Sequence, residues 1–149
     1  MSSIKISTIE EKLRKLREVI DKLEECKKTS QHDFMVDFWV SDTTMHNLVL
    51  GIEIIVDIGS HILAEVFQMR TSEYAEVIEK LGKAQVVPEE FAKENVDMAR
   101  FRNRIIHYYG DIDLKQVYQN LQKAPDIFRK FAEYFSDFLE KNKGRLINN

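Results

Sequence analysis

The chain has few residues that break a backbone into turns, with 5 Gly and 2 Pro among 149 residues. An all-β fold needs many turns, so this scarcity excludes one and leaves helix as the reading. A single cysteine, Cys26, excludes an intrachain disulfide and fits a cytoplasmic setting. The longest apolar run, Leu48 to Ile58, is interrupted by Glu53 and Asp57 and is too short and too polar to span a bilayer. Met1 to Lys5 lacks the apolar stretch and cleavage site of a signal peptide, so none is expected. Positive charge is not in excess either. Lys and Arg number 22 against 25 Asp and Glu, a formal net charge of −3, which excludes broad electrostatic attraction to nucleic acid. Any contact with a polyanion must come from a local cluster.

What is present is globular composition: 44% hydrophobic and 32% charged residues, enough chain for one domain over residues 1–149 with its core in 8–140. The fold class expected is all-α, an up-and-down bundle of five to six helices. Ser7 and Glu10 have the spacing of a capping box, and Ile9, Leu13, Leu16, Ile20 and Leu23 form one apolar stripe on the charged helix that follows. Ser41 to Thr44 marks the start of a second long helix, from Met45 to about Phe67, apolar around nearly its whole circumference. Such a helix must be covered on all sides, and in a chain this small one side is expected to face a second copy; Gly51, Gly59 and Ser60 would admit a close neighbour. Thr71 or Ser72 caps a further helix over Glu73 to Leu81 that Gly82 ends. Pro88 opens the next, which runs to Tyr108 or Tyr109 and stops at Gly110. Asp113 caps the last, Pro125 should kink or restart it, and the tail 143–149 is expected to fray.

The concentrated chemistry lies at the end of the helix that Pro88 opens. On an ideal wheel Met98, Phe101, Ile105 and Tyr108 share the core face, while His107, Arg100, Asn103 and Arg104 point away and Arg102 shares a flank with Tyr109. Arg and His near a helix C-terminus complement its negative dipole end, and that role alone accounts for one or two of them. Three arginines within five residues, on different faces of an acidic chain, exceed what capping needs. Asp57 and His61, one turn apart on the central helix, read as a buried hydrogen-bonded pair or as support for the arginine site. His32 and His46 lack metal-ligand spacing and no glycine-rich phosphate loop is present, so no metal or cofactor is expected.

Arg102-x4-His107-x-Tyr109 resembles the Arg-x4–6-His signature of HEPN domains, in the form found in HepT-like toxins. The stretch MARFRNRIIHYYGDIDLKQVY is similar to the family's arginine-rich helix, its stop and the opening of its final helix; IEIIVDIGSHILAE and SQHDFMVD resemble its central helix and the segment before it. The resemblance implies a metal-independent ribonuclease, homodimeric, acting as the toxin of a pair whose antitoxin is a minimal nucleotidyltransferase. It also implies Arg102 and His107 as catalytic residues and Tyr109 as the tyrosine the antitoxin adenylylates.

Elementary chemistry is compatible with that role. RNA cleavage without a metal needs a base, an acid and cations around phosphorus. Histidine titrates near neutrality and arginine grips phosphate with a planar fork. One His107 cannot easily serve both sides of one phosphate, and Arg102 stands about 140° from it around an ideal helix. Either the last turn loosens before Gly110 or the pair converges through a partner subunit, and a composite cleft across a twofold axis is the expectation. Arg100, Asn103 and Arg104 would hold the substrate and offset the helix end's negative carbonyls. Two other readings stay open: a non-catalytic HEPN module that binds a nucleotide or a nucleotidyltransferase partner, and a helical dimer with no ligand.

Overall fold

A computed structural model describes residues 5–145, which form six α-helices and two 3₁₀ turns and, among those residues, no strand. Helix α1 spans Ile6–Lys27, α2 Gln31–Val36, α3 Phe38–Phe67, α4 Tyr74–Lys83, α5 Glu89–His107 and α6 Leu114–Lys141. The 3₁₀ turns are Tyr109–Asp111 and Lys143–Arg145. No helix among the described residues is long and apolar enough to cross a membrane.

The α1 stripe of Ile9, Leu13, Leu16, Ile20 and Leu23 is buried as its spacing requires. The Ser7–Glu10 capping box does not form. Ile6 is buried three residues ahead of Ile9, so the apolar stripe pulls the helix start forward and leaves Lys5 at the cap position, without a side-chain bond. A similar shift opens α3. Asp37 Oδ1 accepts the Trp39 N–H at 3.0 Å, and Ser41 and Thr44 are carried inside the helix and buried, not at its start. The polar stretch before it is used to begin α2, where Ser30 Oγ accepts the Asp33 N–H at 3.2 Å.

Helix α3, 30 residues long, packs against every other α-helix. Its glycines do admit close neighbours, but these belong to the same chain. A Cβ on Gly51 would lie 2.2 Å from the Phe128 ring of α6, and one on Gly59 would lie 2.7 Å from Leu81 of α4. Gly82 does not end α4. It sits buried in the last turn against Ala92 of α5, and the chain leaves through Gln85 at a positive φ of 60°. The cap of α4 is Glu73, neither Thr71 nor Ser72; Ser72 instead donates its N–H to Glu76.

Helix α6 starts where Asp113 Oδ1 accepts the Lys115 N–H at 3.0 Å, and it runs through Pro125 without restarting. Pro125 is buried, and Phe128, Phe131 and Phe135 beyond it are fully enclosed, so packing holds the helix across the missing donor. Pro88 stands just outside α5, in an extended conformation. Of the tail expected to fray, residues 143–145 form one 3₁₀ turn and the rest lies outside the described residues.

The Gly51 contact fixes the sign of a substitution. In an open helix Gly→Ala gains about 1 kcal/mol of propensity. Here the methyl group meets an enclosed ring, so Gly51→Ala should destabilise by about 1–3 kcal/mol in urea unfolding; a raised midpoint would show that α6 does not pack as described.

Candidate functional site at the end of α5

Burial of Phe101 and Ile105 against the core sets the roll of α5 and decides where its polar residues fall. Arg102 turns inward. Its Nη2 meets Glu53 Oε2 of α3 at 2.5 Å, its Nη1 donates to Asn103 Oδ1 at 3.1 Å, and the guanidinium lies 4.5 Å from the centre of the Tyr74 ring. Its side chain is only 19% exposed, and Nε is buried with no acceptor among the described residues. A charge so placed needs its counter-ion, which Glu53 supplies from the mostly apolar run Leu48 to Ile58.

The other arginines diverge. Arg100 pairs with Asp97 at 2.5 Å and, with Asn103, opens onto a hollow that it shares with Glu73, Glu76 and Glu79. Arg104 lies over the Phe101 ring and lines a cavity of about 400 Å³ between α3, α5 and α6, together with Asn95, Gln116 and Lys123. His107, the last residue of α5, is exposed, its ring 6.5 Å from that of Tyr108. Among the described residues no hydrogen bond or ion pair joins His107 to Arg102.

The wheel extrapolation fails beyond His107. The Tyr108 N–H closes on the Arg104 carbonyl, the Asp111 N–H closes on the Tyr108 carbonyl, and the chain tightens into the 3₁₀ turn. Gly110 therefore adopts no left-handed conformation, and Tyr108 swings out to 63% exposure instead of joining the core face. Tyr109 lies past the end of the helix, in that turn. The Asp42 carboxylate near the start of α3, with a smaller effect of partial burial, holds the Tyr109 phenol above its usual pKa.

Asp57 and His61 are not a buried pair. Both are exposed, and Asp57 is held at 2.5 Å by Lys12 of α1. The carboxylate that supports Arg102 is Glu53, one turn earlier, because only that turn of α3 faces Arg102. Glu53, Tyr74 and Asp42 were not singled out as site residues from the sequence. The available signal was the carboxylate itself: in a run as apolar as Leu48 to Ile58, an acid that stays must have a cationic partner.

A family model described as Ribonuclease HepT-like matches residues 9–135. A protein named tRNA nuclease HepT, from Aphanizomenon flos-aquae (strain 2012/KM1/D3), is 30% identical over 146 residues, covering 95% of this chain and 99% of that one. Among solved structures, the tri-AMPylated Shewanella oneidensis HEPN toxin in complex with MNT antitoxin superposes with a TM-score of 0.79 at 19% identity, over 87% of this chain and 96% of that chain. The cytosolic protein YutE of Bacillus subtilis superposes equally, at 0.79 and 23% identity, over 97% of this chain and 96% of that chain.

Removing the Arg102 counter-ion tests the local electrostatics. Glu53→Gln should lower stability by about 1–2 kcal/mol. In a double-mutant cycle with Arg102→Ala the losses should fall clearly short of additive; strict additivity would show that the two side chains do not interact.

Proposed function

The chain belongs to the HepT-like ribonuclease family, and from that premise we propose that it is the RNA-cleaving toxin of a HEPN/MNT-type pair, working as a homodimer without a metal. The observation that carries the reading is the state of the two motif side chains. Arg102 is fixed by Glu53, and His107 stands exposed at the same helix end with no hydrogen bond among the described residues. A proton carrier needs free ring nitrogens, and a phosphate clamp needs a guanidinium already in place.

In this mechanism the phosphate takes the Nη1 edge of Arg102 that the neutral Asn103 amide occupies at rest, since a charged acceptor binds it more strongly. His107 of one copy removes the proton from the 2′-hydroxyl, whose oxygen forms a bond to phosphorus. The bond from phosphorus to the 5′-oxygen breaks, and His107 of the second copy protonates that leaving oxygen. The product carries a 2′,3′-cyclic phosphate. Arg104 supplies positive charge beside the helix end, while Arg100, paired with Asp97 beside three glutamates, contributes less. Tyr109 is the point of silencing: a nucleotide added to it by the antitoxin places bulk and negative charge where the RNA must lie.

The second copy is expected on the exposed face where α3 and α5 run side by side. Leu50 and Ile106 stand 36% and 48% exposed there, next to the Glu53–Arg102 pair.

His107→Ala should lower RNA cleavage at least about a hundredfold, with helicity unchanged; undiminished formation of the cyclic phosphate end would rule out the acid–base role. Leu50→Asp combined with Ile106→Asp should yield a folded monomer in analytical ultracentrifugation that no longer cleaves. A fully active monomer would remove the need for a composite site.

A further inference from the structure

The proposed chemistry leaves unused the cavity of about 400 Å³ between α3, α5 and α6, which has the size of a small-ligand cleft. Met98, Phe101, Ile127 and Phe128 give it apolar walls, and three side-chain amides, those of Asn95, Gln116 and Asn120, line it with them. Asn95 is only 8% exposed. Its Nδ2 donates to the Phe91 carbonyl at 2.8 Å, and Asn120 Nδ2 donates to the Gln116 carbonyl at 2.9 Å. An N–H must face a carbonyl oxygen, so the orientation of both amides is fixed. Each is left with an Oδ1 acceptor that no donor among the described residues satisfies. For a nearly buried side chain such an acceptor is costly, and a ligand that brings an N–H recovers the cost.

We infer that this cavity is the subsite for one base of the RNA strand, and that it selects bases carrying an exocyclic amino group over uracil. The inference rests on the ribonuclease reading and deepens it. The exposed cations Arg104 and Lys123 are offset there by Glu94 and Asp97, so the cavity offers a phosphate group no excess of positive charge. What fits is flat and uncharged, apolar on its faces and supplied with N–H donors at its edge, which describes a nucleobase. Adenine, cytosine and guanine each present an amino group with two N–H bonds for the Asn95 and Asn120 oxygens. Uracil has one N–H, flanked by two carbonyls that would meet those acceptors with no proton between them.

The cavity is also in the right place. Around α5, His107 falls between Arg102 and Arg104, about 140° from the first and about 60° from the second. A strand held at Arg102 that passes His107 therefore arrives at Arg104, which lies over the Phe101 ring at 5.3 Å and lines the cavity. The opposite route is opposed by charge: Arg100 is paired with Asp97, and Glu73, Glu76 and Glu79 line the hollow beside it.

The experiment compares the parent chain with Asn95→Leu and Asn120→Leu on single-stranded oligouridylates that carry one adenosine, one cytidine or neither, and on total cellular RNA, with cut positions mapped. The parent should cut at a fixed offset from the adenosine or cytidine at least about tenfold faster than anywhere in the all-uridine strand. Each variant should bring that ratio to within about twofold of unity. Asn120 is only half-buried, so Asn120→Leu should keep the parent's melting profile even if Asn95→Leu does not. A parent that cuts total RNA but no oligomer, or cuts the oligomers without preference, overturns the subsite alone. A preference that survives in folded Asn120→Leu overturns it as well. Equilibrium dialysis against free AMP separates the two sources of the base: a parent that retains AMP through Asn120 yet cuts without preference assigns the cavity to a free nucleotide and not to the strand. A parent that leaves every RNA intact overturns both the subsite and the ribonuclease reading beneath it.

Discussion

Burial of α3 is the constraint from which the remaining geometry follows. A 30-residue helix apolar on almost every side has to be wrapped, and α1, α2, α4, α5 and α6 all lie against it. Glycines at 51 and 59 let α6 and α4 approach until an added methyl group would collide. Helix α5 rolls so that Phe101 and Ile105 enter the core, and Arg102, next to Phe101, is brought up to Glu53. The site's placement is a by-product of hydrophobic packing, and its charge balance was then built around the position that packing imposed.

The electrostatics show how an acidic chain can hold a cationic end. Arg100, Arg102 and Arg104 stand within five residues but do not act as one patch. One is matched by Asp97, one by Glu53, and the third lies over an aromatic ring at the mouth of a cavity. Positive charge is thus distributed to three separate surfaces. The sequence suggested a single cluster because a helical wheel records directions and not the partners waiting in them.

Legibility followed the strength of the periodic signal. The α1 stripe, the end of α3 at Phe67, the Asp113 cap and the all-helical class were readable because each rests on burial or a short-range bond that sequence spacing encodes. Helix starts were misplaced where a residue upstream opened the helix first, by burial of Ile6 ahead of Ser7 and by the Asp37 cap ahead of Ser41. At the site, Arg102 and His107 were legible as a motif, whereas Glu53, Tyr74 and Asp42 were not. They lie 49, 28 and 67 positions from the side chains they act on, and interactions at that separation exist only once the bundle is packed. Asp57 and His61 were misread because one turn along α3 moves a side chain from its contact with α5 to a contact with α1.

The anchoring of Arg102 within a single protomer has a further consequence. Arginine loses considerable rotamer freedom when it is ordered, and here that loss is met by Glu53 and Tyr74 during folding, before any substrate arrives. In the proposed composite site, the entropy of ordering Arg102 is therefore settled within each protomer, and the pairing of two copies has to bring only the exposed His107 side chains into place.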